Sequence, residues 1–133
     1  MGVAMRFGGV GGEVSQRFSL LWTNPSPTSN FAAQTVPLDL AGYDLVYISF
    51  NYNTSDQTGA RECLLGIDER KVRVQVIGAM QQTGAAGLRE RRVKATTTGV
   101  VFESAYSKAA NSTAAATESN NILIPAYIKG IKL

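Results

Sequence analysis

The sequence contains no histidine and a single cysteine, Cys63, in 133 residues. Without histidine there is no Ser-His-Asp triad, no histidine-based metal site and no imidazole that titrates near neutral pH. One cysteine cannot form an intramolecular disulfide or a zinc site built from several cysteines. These two absences exclude several of the commonest catalytic and metal-binding arrangements.

Charge and long apolar runs are also scarce. Charged residues make up 17% of the chain and the net charge is +3, whereas about a quarter of the residues of a typical domain are charged. No apolar run is close to the length of a membrane span, which is about 20 residues. Residues 1–9 lack the apolar core of a signal peptide. We therefore expect no membrane insertion, and the small basic surplus does not by itself support a nucleic-acid partner.

Glycine is plentiful, with 13 residues, and the mean hydropathy is −0.03. Glycines crowd residues 1–14, which we interpret as an N-terminal arm because glycine loses more backbone entropy on folding than any other residue. Residues 15–133 are long enough to bury a core, and we predict that they form a single domain.

Strand patterns recur through this domain. The clearest strand is predicted over residues 44–52, where four side chains share one face: Val46, Ile48, Phe50 and Tyr52. Pro37 cannot donate a hydrogen bond to a ladder, which predicts an edge position for the strand over residues 34–40. Residues 121–133 end the chain as an apolar strand that we expect to be held within a sheet.

The spacing of these segments indicates the fold class. Seven to eight short strands with frequent turn signals predict an all-β protein, an antiparallel β-sandwich that is jelly-roll-like. The Ala/Ser/Thr/Asn tract over residues 109–121 has no apolar stripe at helical spacing, so we predict a long loop there.

The sharpest charge feature is a run of four cations: Arg89, Arg91, Arg92 and Lys94. A strand would send Arg89 and Arg91 to one face and the other two to the opposite face, so the charge is not concentrated for binding phosphates. We interpret the run as solvated strand faces whose cations pair across strands with Asp68, Glu69 or Glu103. We therefore expect no nucleic-acid partner.

The ten carboxylates offer no catalytic pair. Only Asp68 and Glu69 are adjacent, and neighbours on a strand point apart. A glycosidase needs two carboxylates that face each other across a cleft. We predict that the protein is not an enzyme and that it holds no cofactor and no metal.

Five side chains are candidates for contact with a ligand or a neighbouring subunit: Trp22, Tyr47, Tyr52, Gln81 and Gln82. Trp22 offers a flat face for a sugar ring, and the alternative is an anchor in the core or at a subunit interface. Tyr47 lies opposite the apolar face of its strand and suits a recognition surface, unless both faces are buried in a trimer. Gln81 and Gln82 lie in a loop of small residues over 78–87.

Three stretches resemble a known family. Residues 21–36 read LWTNPSPTSNFAAQTV and are similar to a W-T-N-x-S-P-T-x-x-F-x-x-Q-T signature, followed by L-D-L-x-x-Y-D in residues 38–44. The segment TGVVF over 98–102 and the closing NILIPAYIKGIK over 121–132 resemble the family's last hairpin and terminal strand. The family comprises C-terminal domains of bacteriophage tail-fibre and minor structural proteins from phages of Gram-positive or gut bacteria.

The resemblance implies a small β-sandwich at the tip of a virion fibre or collar, often a homotrimer that contacts the host surface. We accordingly predict a phage virion structural protein, made in the bacterial host cytoplasm and located in the virion. Its partners would be copies of itself, other virion proteins and host-surface glycan, and the arm over residues 1–14 would hold the domain to the particle or to a neighbouring subunit. The alternatives are a capsid decoration or head-fibre protein with an assembly role only, and an accessory domain of a glycan hydrolase.

Overall fold

Strands form the regular structure of the computed structural model, which describes residues 17–51, 62–67, 72–79, 86–109 and 112–133. None of these residues belongs to a helix that is long and apolar enough to cross a membrane. In chain order the strands are β1 (Phe18–Thr23), β2 (Gln34–Pro37), β3 (Leu45–Asn51), β4 (Glu62–Gly66), β5 (Val72–Ala79), β6 (Ala86–Thr96), β7 (Gly99–Ala109), β8 (Thr117–Glu118) and β9 (Ile124–Ile131).

The strands pair antiparallel in two sheets. The four-stranded sheet has the order β1-β9-β3-β4, and the five-stranded sheet has the order β2-β7-β6-β5 with β8 beside β7. Side chains from both sheets enter one hydrophobic cluster. The predicted all-β sandwich is therefore confirmed.

The order of the strands is jelly-roll-like at the two ends of the chain. β9 lies between β1 and β3 in one sheet while β2 lies beside β7 in the other, so β1, β2 and β3 alternate between the sheets. The middle of the chain is simpler, with a β3–β4 hairpin and a β5–β6–β7 meander. β6 and β7 have 11 residues each, because β6 continues to pair with β5 through Gly87 and Ala86 and with β7 through Gly87 and Ala109. Part of the loop predicted over 78–87 therefore belongs to strands.

The inner face of β3 lies at the centre of the core. Its three inward side chains are almost completely buried: Val46, Ile48 and Phe50. This is the predicted alternation, although Tyr52 lies outside the described residues. Val93 of β6 and Phe102 of β7 enter the same cluster from the opposite sheet. Burial of each large apolar side chain contributes about 1.5–3 kcal/mol, so this contact between the sheets is a main source of stability.

The last strand, β9, is held between β1 and β3, as the apolar end of the sequence predicted. Gly130 faces inward there, and a Cβ atom at this position would lie 2.7 Å from Cδ1 of Tyr43 and 2.8 Å from Cδ1 of Leu21. The glycine therefore makes room for two side chains that close this end of the sheet. Beyond the strand, the Leu133 amide donates to Oδ2 of Asp44 at 2.8 Å.

One edge of β7 is shared by two short strands. β2 pairs with β7 from Gly99 to Phe102, and β8 pairs with it at Tyr106 and Ser107. Pro37 belongs to β2 at the edge of the sheet, as predicted. Residues 112–121 of the Ala/Ser/Thr/Asn tract contain no helix, as predicted. The tract is not a loop throughout, since Ala109 ends β7 and Thr117–Glu118 form β8.

The turn after β1 is bound to the beginning of β9. The buried Asn24 side chain donates from Nδ2 to the Pro125 carbonyl at 2.8 Å and accepts from the Ser26 amide at 2.8 Å. The Asn24 amide donates to the Ala126 carbonyl, also at 2.8 Å. The asparagine thus satisfies a tight turn and joins two segments that are 101 residues apart.

Arg91 is completely buried, at 0% exposure, between the sheets. Its guanidinium donates to three backbone carbonyls at 2.6–3.0 Å, those of Glu103, Leu123 and Phe31, and makes a longer contact of 3.4 Å with Ile122. Its Cζ also lies 5.6 Å from the centroid of the Phe31 ring. Burial lowers the pKa of Arg91 to about 10, so the side chain remains charged at neutral pH.

The interpretation of the basic run as solvated strand faces is therefore wrong for two of its members. Arg89 and Arg91 share the inward face of β6 with Val93 and Ala95, and both arginines are buried. Arg92, at the next position, is exposed. The alternation of side chains between the two faces of the strand was predicted correctly. Arg89 and Arg91, however, lie on the core side, where backbone carbonyl oxygens stabilise the charge of Arg91.

Arg91 also donates a hydrogen bond to Leu123, whose backbone has a conformation that few leucines adopt. Leu123 has a φ of 47°, in the left-handed region, and its side chain is fully buried. Such a conformation costs of order 1–3 kcal/mol and persists only where the surroundings fix it. Here the buried side chain and the hydrogen bond from Arg91 Nε to the Leu123 carbonyl fix it.

Replacement of Arg91 by methionine, R91M, should therefore destabilise the fold. The variant keeps much of the apolar volume but leaves three carbonyls without their donor, so we expect a loss of about 3 kcal/mol or more in the free energy of unfolding. Urea denaturation monitored by Trp22 fluorescence measures this loss.

The matched control is R92M, which changes an exposed arginine at the adjacent position and should alter stability by no more than about 0.5 kcal/mol. Equal effects of the two substitutions would contradict the structural role of Arg91.

Candidate functional site

The outer face of the four-stranded sheet is the candidate functional site. Because Val46, Ile48 and Phe50 point inward, the alternate residues of β3 point outward, and the strand pairing aligns them with outward residues of the other strands. One row crosses the whole sheet and contains Leu64, Tyr47, Lys129 and Leu20. We call this row and its neighbours Phe18, Leu45, Glu62 and Tyr127 the outer patch.

The outer patch is rich in apolar side chains that water can reach. Leu64 is 56% exposed, Leu20 is 55% exposed and Phe18 is 37% exposed. Among the described residues five large hydrophobic side chains are exposed, and three of them lie on this face. Scattered apolar residues are normal on a surface, but a contiguous group marks an interaction site.

Aromatic and charged groups lie together at the centre of the patch. The rings of Tyr47 and Tyr127 are 6.1 Å apart with an interplanar angle of 35°, and Nζ of Lys129 lies 5.4 Å from the centroid of Tyr127. Desolvation, with hydrogen bonds to the side chains of Glu62 and Tyr127, raises the pKa of Tyr47 to about 12. The phenol is therefore held protonated in a small hydrogen-bonded group, with its ring available to a partner.

The outer face of the five-stranded sheet is chemically different. Along β6 its outward positions hold Glu90, exposed Arg92 and Lys94, and on β7 Lys108 lies opposite Leu88. Charged side chains thus predominate among the described outward residues of β6. The difference between the two sheets distinguishes the outer patch as the apolar one.

Trp22 lies on the opposite side of the four-stranded sheet from Tyr47. A bulge in β1 between Leu20 and Trp22 turns Trp22 inward, where it pairs with Ile128 and packs against the core. Its ring meets Phe31 edge-on at 6.2 Å. The structure therefore favours the core anchor over the sugar-stacking alternative for Trp22.

The remaining predicted site residues, Tyr52, Gln81 and Gln82, lie outside the described residues. The same holds for the loop predicted over 53–59 and for residues 80–85 of the loop predicted over 78–87. The other residues of that predicted loop, 78–79 and 86–87, belong to β5 and β6. Tyr47 is the predicted candidate that the described structure places at an accessible site.

Sequence reasoning missed Leu20, Leu64 and Tyr127 as members of this site. The sequence did offer a sign for Leu64, because Leu64 and Glu62 alternate with Cys63 and Leu65 along β4 and therefore lie on the face away from the core. For Leu20 the bulge in β1 breaks the alternation, and bulges are not readable from a period of two.

Among the described residues, no three His, Cys, Asp or Glu side chains gather as they would around a metal ion. No protein-family model, curated protein or solved structure matches the chain.

Alkaline titration should detect the hydrogen-bonded state of Tyr47. A phenol whose pKa is raised from 10.0 to about 12 in the folded protein favours folding only while it is protonated, so its stabilising contribution is lost as the pH rises from 10.0 to about 12. Tyr47→Phe should remove the highest step from the tyrosinate absorbance titration of the folded protein.

Tyr106→Phe, on the outer face of the other sheet, serves as the control and should leave that step in place. If Tyr47→Phe leaves the high step unchanged, the hydrogen-bonded group described for the outer patch does not hold Tyr47.

Proposed function

We propose that the protein is a structural component of a bacteriophage particle, a tail-fibre or appendage head domain that attaches to host-surface glycan and assembles with copies of itself through the outer patch. The observation that carries this proposal is the exposure of Leu20, Leu64 and Phe18 beside two tyrosines on one sheet face. Burial of about half of a leucine side chain contributes of order 1 kcal/mol, so several such groups on each copy favour association.

The position of the leucines suggests a ring of copies. Leu20 lies on the edge strand β1 and Leu64 on the edge strand β4, at opposite ends of one row. When copies surround an axis with this sheet turned inward, the β1 side of one copy approaches the β4 side of the next, so each leucine finds an apolar partner. A heterologous contact forms a closed ring when the rotation between neighbouring copies closes, and we propose a homotrimer, the assembly that the sequence resemblance implies.

The sequence resemblance supports assignment to a virion. Two stretches that carry it, the W-T-N-P-S-P-T segment and the closing I-P-A-Y segment, are joined by the hydrogen bonds from Asn24 to Pro125 and Ala126. These residues, which resemble the phage family, thus hold β9 beside β1. We expect such a contact in a family whose members share a β-sandwich.

Leu64→Glu and Leu20→Glu test the assembly surface. Light scattering should give the wild-type protein the mass of three 14.2 kDa chains, and either substitution should shift the mass toward one chain because it buries a charge in an apolar contact. Circular dichroism verifies that each variant remains folded.

Thr35→Glu is the matched control, since it adds the same charge at an exposed position on β2 in the other sheet. A wild-type protein that sediments as a single chain, or glutamate variants that remain trimeric, would contradict assembly through the outer patch.

Location on the particle separates the proposed role from its nearest alternative. Immunogold labelling of intact phage with antibody against this domain should mark the tail or an appendage. Labelling spread over the capsid would favour the decoration or head-fibre role, and absence of the chain from purified particles by mass spectrometry would contradict a virion protein altogether.

A further inference from the structure

A cavity of about 350 Å³ lies at the far end of the five-stranded sheet from its β6–β7 turn and opens to the surface. The ends of β6 and β7 form its floor, and the segment over residues 112–119, which we call the strap, forms its other wall. Its volume is at the lower end of the range found for small-molecule sites. Nothing in the proposed assembly through the outer patch uses it.

The strand register places a buried cation in the floor of this cavity. Arg89 pairs with Ser107 and Gly87 pairs with Ala109, and all four line the cavity. Arg89 is only 8% exposed. The glycine and alanine provide no bulk there, so the space above the arginine remains open.

The strap is held over this floor by the backbone. The Ser112 amide donates to the Ala109 carbonyl at 3.1 Å, and the Ser119 amide donates to the Ala105 carbonyl at 2.8 Å. Between them β8 pairs with β7 at Tyr106 and Ser107. The cavity is thus bounded by chain that is fixed at both ends of the strap.

The lining has a consistent chemistry. Arg89 and Lys108 supply positive charge, and the described residues that line the cavity include no acidic side chain. Four lining side chains carry hydroxyl groups: Ser107, Ser112, Thr117 and Ser119. Arg89 also interacts within the chain, but a guanidinium has five N–H donors and can serve a second acceptor.

We propose that this cavity binds the anionic group, carboxylate or phosphate, of an acidic saccharide. Arginine holds either anion through paired charge-assisted hydrogen bonds, and the surrounding hydroxyls can donate to and accept from sugar hydroxyls. The proposal rests on the proposed role in host attachment and gives that role a ligand class, since acidic polymers with carboxylate or phosphate groups are what such a site would recognise on a cell surface.

Isothermal titration calorimetry with glucuronate, glucose 6-phosphate, acetate and glucose tests the proposal. We expect glucuronate or glucose 6-phosphate to bind and neutral glucose not to bind, and the stronger of the two acidic sugars identifies the anion. Acetate that binds as tightly as glucuronate would show that the site takes a simple anion and not a saccharide, which overturns the proposal, as would the absence of binding by both acidic ligands.

Variants of the lining locate the binding. Arg89→Gln should weaken binding by at least about tenfold, which corresponds to the loss of a charge-assisted hydrogen bond. Because a buried arginine can also support the fold, Ala109→Leu provides a second test that fills the cavity and keeps Arg89. Arg92→Gln, an exposed cation on the same strand, is the control and should leave binding unchanged.

If Ala109→Leu and Arg89→Gln fold but bind as the wild type does, the cavity is not the site. Light scattering on the same variants separates this failure from failure of the proposed function, because the cavity lies away from the outer patch and its variants should retain the wild-type assembly state.

Discussion

The guanidinium of Arg91 joins three parts of the chain that are far apart in sequence. One carbonyl comes from Phe31 in the loop before β2, one from Glu103 in β7 and one from Leu123 just before β9. A buried charge is tolerated only when its donors are satisfied. The buried carbonyls also require a hydrogen-bond donor, and Arg91 provides it. The segments that contain Phe31 and Leu123 are therefore fixed around one side chain.

The position of β9 follows from these contacts. The segment before it is held by Arg91 through Leu123, while its first residues are held by Asn24 through Pro125 and Ala126. β9 then runs between β1 and β3 and carries Tyr127 and Lys129 to the outer patch. The surface proposed for assembly therefore depends on polar contacts inside the sandwich.

The sequence predicted the elements better than their orientation. Alternation in β3, the edge position of Pro37 and the inclusion of the last strand in a sheet all follow from local chemistry, namely side-chain period, a missing donor and an apolar run. Arg91 could not be placed in this way, because a period of two says which residues share a face but not which face is inside. The available signal was that Arg89 and Arg91 share their face with Val93 and Ala95, and an arginine is rarely assigned to a core.

The two sheets differ in the polarity of their outward side chains, and this difference distinguishes the outer patch as a candidate interaction surface. Among the described side chains of the five-stranded sheet, the inward ones are mainly apolar beside the buried Arg89 and Arg91, and the outward ones of β6 are mainly charged, the usual pattern for an antiparallel sheet with one side in water. The four-stranded sheet is apolar on its inner face and largely apolar outside. Because Arg89 and Arg91 are buried, the net charge of +3 also overstates how basic the surface is. The apolar outer patch is better suited to contact with another protein chain than to binding a phosphate backbone.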